Sequence, residues 1–129
     1  MSSSEPLRVL SVEDNPETRL LLKHLLKQSY EVVLVSNAKE ALSYVESEPF
    51  DLLLVDIHLG EGKSGTELLH LLREREPTRE VPAIAVTAYS MPGDRADLLE
   101  EGFDGYVSKP FTKAELTETI DQVLPAREE

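Results

Sequence analysis

Five short apolar runs, at residues 7–12, 31–35, 52–56, 83–86 and 105–107, alternate along this chain with five longer segments of helical period. Leu52-Leu53-Leu54-Val55 is continuously apolar, the pattern of a strand buried on both faces rather than one that alternates inside and outside. Strict strand–helix alternation implies a parallel sheet with right-handed crossovers and helices on both faces. Five units are too few for an eight-fold barrel, which leaves an open, doubly wound α/β sheet. Ligands of such sheets lie beyond the carboxyl ends of the strands, so those ends are where chemistry is sought.

Local punctuation places the helices. Asn15-Pro16 reads as a helix cap followed by a first-turn proline, with Leu21, Leu22, Leu25 and Leu26 forming one apolar stripe. Asn37 with Glu40 opens a second helix, and a third begins at Ser64 and carries Leu68, Leu69, Leu71 and Leu72 toward Arg75. A shorter fourth helix is expected from Pro92 to about Glu101, stopped by Gly102. Thr112 and Glu115 form a capping box for the last helix, which ends near Leu124 before Pro125. The expected organisation is a flexible tail over residues 1–6, one domain over 7–124 and a short tail over 125–129.

At 129 residues, 40% of them hydrophobic, the chain suffices for one hydrophobic core but not two. No apolar run approaches the roughly 20 residues of a membrane helix, and the serine-rich start lacks the features of a signal peptide. Cysteine is absent, which removes disulfides, thiolate metal sites and cysteine nucleophiles. A cytoplasmic protein is expected. The 25 acidic and 13 basic residues give a net charge of -12, which opposes binding to nucleic acid or anionic membranes. That charge suits a basic partner or a cation, and its simplest reading is a solvated acidic surface.

The strand ends carry the chemical signal. Glu13 and Asp14 follow the first apolar run, Asp56 ends the third, Thr87 and Ala88 follow the fourth, and Lys109-Pro110 follows the fifth. If these strands are neighbours, three carboxylates, a hydroxyl and an ammonium converge on one rim. Three close carboxylates do not all remain ionised without a counterion, and all-oxygen ligation with room for water suits Mg²⁺. A carboxylate nucleophile with a cation, an ammonium and a hydroxyl around it is equipment for phosphoryl transfer. Each residue alone has a plainer reading: helix cap for the acids, packing for Thr87, solvated surface for Lys109. Their joint placement is far more specific. His24, His58 and His70 do not read as a metal cluster.

With these residues in view, the chain resembles the receiver domain of two-component response regulators from about Leu7 to Leu124. The matching segments are Val12-Glu13-Asp14-Asn15, Leu54-Val55-Asp56-Ile57, Val86-Thr87-Ala88, Gly102-Phe103-Asp104-Gly105-Tyr106 and Ser108-Lys109-Pro110-Phe111. The resemblance implies a flavodoxin-like (βα)₅ fold of strand order 2-1-3-4-5, with Asp56 accepting a phosphoryl group from a histidine kinase or histidine phosphotransfer protein. It implies Mg²⁺ held by Asp14, Asp56 and the main-chain carbonyl of His58, with Glu13 acting through water. Thr87, Ala88 and Lys109 would bind the phosphoryl oxygens, Tyr106 would change rotamer with them, and the Lys109-Pro110 bond would be cis. His58 and Tyr89 flank the acceptor and are expected to tune hydrolysis.

Two departures stand out. Gly60 occupies a place where the family usually has proline, and Gly65 lies nine residues after Asp56 where the usual spacing is eight, so a longer, more flexible loop is expected over residues 60–65. Glu13 replaces a frequent aspartate. The resemblance implies a switch acting through helix 4, strand 5 and helix 5 on a protein partner, in a monomer or weak homodimer, without enzymatic turnover of other substrates. The competing readings are a pseudo-receiver that is never phosphorylated and a Mg²⁺-dependent phosphohydrolase. The latter is disfavoured because His58 stands where haloacid dehalogenase-type phosphatases have a second aspartate.

Overall fold

A computed structural model of the chain describes residues 7–59, 64–88 and 94–124. The strands are β1 (Leu7–Val12), β2 (Tyr30–Val35), β3 (Leu52–Asp56), β4 (Ala83–Thr87) and β5 (Gly105–Ser108). The helices are α1 (Pro16–Leu26), α2 (Ala38–Ser47), α3 (Gly65–Arg73), α4 (Asp94–Glu101) and α5 (Lys113–Val123). All strand pairings are parallel, and the sheet order is β2-β1-β3-β4-β5. The expected tails at 1–6 and 125–129, the loop residues 60–63, and Pro92 as a helix start all lie outside the described residues.

Every residue of β3 and of β4 is buried. Alternation along β3 feeds two separate cores: Leu52 and Leu54 pack with Leu22, Leu26, Leu116 and Ile120 of α1 and α5, whereas Leu53 and Val55 pack with Leu68, Leu69 and Leu72 of α3. A strand covered on both sides has no polar face, which is why its sequence is unbroken leucine and valine until Asp56.

The caps follow the local chemistry. Asn15 Oδ1 accepts from the N–H groups of Glu17 and Thr18 at 2.8 and 3.2 Å, and Asn37 Oδ1 accepts from Glu40 N at 2.9 Å. Ser64 with Glu67, and Thr112 with Glu115, form reciprocal capping boxes. Gly102 ends α4 at φ 118°, a left-handed conformation that glycine adopts without Cβ strain. A 3₁₀ turn, Glu76–Thr78, follows α3 and had no clear sequence signal. Beside it, Arg73 donates to the carbonyls of Thr78, Val81 and Gly102 and pairs with Asp104, whose Oδ2 also accepts from Ala83 N at 2.9 Å. This strap joins the end of α3 to the starts of β4 and β5.

Gly65 fixes the opposite end of α3. Its N–H donates to the Ile57 carbonyl at 3.0 Å, and a Cβ at this position would lie 2.2 Å from the Asp56 carbonyl oxygen. Only glycine permits that approach of helix to strand. The contact ties α3 directly to the strand end that presents Asp56. We predict that Gly65→Ala destabilises the fold by about 1–3 kcal/mol in urea unfolding, the usual cost of forcing atoms into a filled space. A loss below about 0.5 kcal/mol, the size of ordinary surface changes, would show that α3 yields there at little cost.

Candidate active site

The site is built where β1, β3, β4 and β5 end. Asp56 is the last residue of β3 and is 3% exposed; Glu13, immediately after β1, is 1% exposed; Asp14 beside it is open to solvent. Carboxylate oxygens of Glu13, Asp14 and Asp56 lie within 4.8 Å of one another. Lys109, one residue past β5, places its Nζ 3.1 Å from both Glu13 carboxylate oxygens and 3.3 Å from Asp56 Oδ2. The other Asp56 oxygen, Oδ1, accepts from the N–H of His58 at 3.1 Å.

Backbone hydrogen bonds hold these residues in place. Glu13 N donates to the Val35 carbonyl at 3.0 Å, Ile57 N to Val86 at 3.0 Å, and Lys109 N to Thr87 at 2.7 Å. Thr87 itself is buried, Ala88 is exposed, and Tyr106 in the middle of β5 is partly buried. The Lys109-Pro110 peptide is cis. The His58 ring is exposed, and His24 and His70 lie on exposed helix positions. Tyr89 lies outside the described residues. The structure thus gathers Glu13, Asp14, Asp56 and Lys109 into direct proximity, with Thr87 joined to them through the Lys109 backbone.

One residue of the site was not read from the sequence. Arg19, in the second turn of α1, donates from Nη1 to the Glu13 carbonyl at 2.8 Å. It braces the segment that carries Glu13 and Asp14. Its signal was present in its place on the first turns of the helix that opens at Asn15, five residues after Asp14, but an arginine there reads equally well as surface charge.

Burial, and then the adjacent Asp56 carboxylate, raise Glu13 from its ordinary value of 4.5 to about 7, with Lys109 pulling in the opposite direction. Burial works against the charge on Lys109, but its hydrogen bond to Glu13 and the charges of Glu13 and Asp56 outweigh this and raise it. Ionised, the three carboxylates and one ammonium leave two negative charges, which a divalent cation neutralises. All three anionic donors are oxygens and one is solvent-facing, so the group fits a hard ion that keeps part of its water.

Comparison with known proteins decides the family: the profile described as the response regulator receiver domain matches residues 9–121. The chain belongs to the response regulator receiver domain family. It is 38% identical over 120 residues to the polar-differentiation response regulator DivK of Brucella anthropi, covering 92% of this chain and 97% of DivK. It is 33% identical over 121 residues to the sensor histidine kinase GacS of Pseudomonas protegens, spanning 92% of this chain but only 13% of GacS. The receiver domain of the sensor histidine kinase PA1611 from Pseudomonas aeruginosa, solved with a magnesium ion coordinated in its active site cleft, superposes with a TM-score of 0.82. It is 33% identical, with 92% of this chain and 97% of that one covered. Chemotaxis protein CheY4 of Vibrio cholerae gives a TM-score of 0.86 at 26% identity, with 92% and 99% covered.

The raised Glu13 has a consequence for the receiver's stability. Its folded value exceeds its unfolded one, so its contribution is fully present below about pH 4.5 and is lost as pH climbs through about 7. In EDTA, the urea midpoint is expected to fall across that window, and Glu13→Gln is expected to flatten the fall. A wild-type slope unchanged in the variant would assign the titration elsewhere.

Proposed function

We propose that this receiver is a phosphorylation switch whose acceptor is Asp56, with residues 7–124 as the functional unit. The observation that carries the reading is the Lys109 ammonium within 3.3 Å of a buried Asp56 carboxylate inside a cluster of acids. A nucleophilic carboxylate in this setting is held between the His58 N–H and Lys109, oriented and shielded from bulk water.

In the proposed step an Asp56 oxygen attacks the phosphorus of a phosphohistidine. The new O–P bond forms as the N–P bond breaks, and the imidazole leaves with the bonding electrons. Asp14, Asp56 and the His58 carbonyl are the proposed direct holders of Mg²⁺, with Glu13 acting through water. When bound, the ion supplies charge neutralisation for the phosphoryl oxygens. Lys109 exchanges its partner carboxylate for one of those oxygens, and Thr87 and Ala88 supply neighbouring donors from the end of β4. Tyr106 shares β5 with the segment leading to Lys109, so it is the proposed reporter that alters the α4–β5–α5 face. His58 and Tyr89 are the proposed limits on water access during hydrolysis.

The donor is proposed to be a histidine kinase or histidine phosphotransfer protein, and the reader a protein partner; the cytoplasm is the proposed location. No helix among the described residues is long and apolar enough to cross a membrane. The high coverage of DivK and the small share of GacS support two settings equally, an independent regulator and a segment of a larger kinase.

Incubation with acetyl phosphate and Mg²⁺ tests the acceptor. A mass gain of about 80 Da is expected for an aspartyl phosphate, absent in Asp56→Asn and suppressed by EDTA. Failure of every phosphodonor to label the chain would favour a pseudo-receiver. Steady phosphate release from unrelated phosphoesters, abolished by Asp56→Asn, would favour a phosphohydrolase. For the adduct's lifetime, His58→Ala and Tyr89→Ala are each expected to shorten the half-life; unchanged decay in both would remove them from water control.

A further inference from the structure

β1 packs into both cores, yet it carries a serine. Val9 faces the core shared with α1 and α5, whereas Leu10 and Val12 face the core shared with α2 and α3. Alternation therefore turns Ser11 and Glu13 to the same face as Val9. The register agrees, because Ser11 stands between Leu34 and Leu54, which pack into that same core. Ser11 is 1% exposed, and its Oγ has no hydrogen-bond partner among the described residues. Glu13 Oε1, one pleat further along, is in the same condition. Lys109 Nζ lies 3.1 Å from it, but the hydrogen bonds of Lys109 and of the Asn15 N–H both go to Oε2, at 3.1 and 3.2 Å.

Buried polar atoms are seldom left unpaired, because each has given up its hydration. Here the two orphans are of complementary kind, a hydroxyl that donates and a carboxylate oxygen that accepts, on one face of one strand. We infer that Ser11 is a positioning residue for Glu13, its hydroxyl joined to Oε1 through one enclosed water. Residues two apart on a strand stand about 7 Å apart at Cα, a span that their two side chains and a single water close. The link holds the Glu13 carboxylate by one oxygen, so that Oε2 stays presented to Lys109 and to the Asn15 N–H. Its bearing on Mg²⁺ rests on the proposed role of Glu13 beside the ion; the link itself does not.

The surroundings offer the hydroxyl no other side-chain partner. Val9, Leu34 and Leu54 adjoin it on the sheet, and apolar residues of α1 and α5, among them Leu22 and Ile120, cover that face. Asp56, the carboxylate next to Glu13, is an acceptor when ionised and gives Oε1 no donor. A serine with no partner at all has the opposite energetic sign, since replacing its hydroxyl by an apolar group then relieves a burial cost.

The test is a double-mutant cycle on the full chain, read by urea unfolding in EDTA, with Mg²⁺ binding to the same proteins measured by calorimetry. Ser11→Ala is expected to lower the urea midpoint in the wild-type background. In Glu13→Met, which keeps the length of the side chain but offers no carboxylate acceptor, it is expected to leave the midpoint unchanged or raise it. Mg²⁺ affinity is expected to fall about fivefold in Ser11→Ala, the change that one ordinary hydrogen bond supports. Ser11→Thr, which restores a hydroxyl, is expected to recover it. A midpoint raised by Ser11→Ala in the wild-type background would overturn the inference, because the hydroxyl would then be an unpaired cost. Equal loss in both backgrounds would overturn it too, by placing the partner elsewhere. Unchanged Mg²⁺ affinity in Ser11→Ala would remove the positioning role even where the midpoints couple. Wild-type protein that takes up no Mg²⁺ rejects the metal reading of the acid cluster, and the cycle in EDTA then decides the Ser11 link by itself.

Discussion

The rest of the molecule is arranged around one electrostatic problem, the presence of Glu13, Asp14 and Asp56 within a few ångströms of one another at a partly buried rim. Lys109 is the fold's own answer to it, an ammonium placed against two of the three carboxylates. The answer is incomplete by design of the sequence: one cation faces three anions, and burial together with the adjacent Asp56 raises Glu13 to about 7 against the pull of Lys109. A site left with surplus negative charge attracts further positive charge. That is the condition under which a divalent ion becomes favourable at this rim.

The sheet supplies the placement. Glu13 follows β1, Asp56 ends the adjacent β3, Thr87 ends the next strand, and Lys109 follows the last, so groups separated by about a hundred residues in sequence meet through the register of the sheet. The hydrogen bond from Lys109 N to the Thr87 carbonyl extends that register beyond the end of β5.

Much of this was legible in the residues. The unbroken Leu52-Leu53-Leu54-Val55 run identified a doubly covered strand because hydrophobic burial on both faces leaves no alternation, and caps such as Asn15 and Thr112 announced helices because backbone N–H groups there need local acceptors. Asp56 stood out as the polar residue ending an otherwise apolar strand. Arg19 did not, since its hydrogen bond is to a main-chain carbonyl and no side-chain pattern records it. Gly65 was read as a departure in loop spacing, yet its role is a contact: the helix start passes so close to the Asp56 carbonyl that a Cβ has no space. Long-range contacts of this kind depend on how two elements meet, and neither local propensity nor periodicity encodes them. Among the fold details, the 3₁₀ turn after α3 was missed for the same reason, being held by Thr78 and Arg73 against neighbouring carbonyls.

The Arg73 strap gives the domain an asymmetry along its strands. By tying α3, the approach to β4, and Asp104 before β5 into one cluster, it binds the amino ends of the last two strands like the spine of a book. At the other margin Thr87 pairs with Ser108, and the Lys109 N–H continues that ladder to the Thr87 carbonyl. The last two strands are therefore fastened at both margins, by side chains at one and by the backbone at the other. The stitching far from the chemistry fixes where β4 and β5 begin, and with it the register that carries Thr87 and Lys109 to the rim.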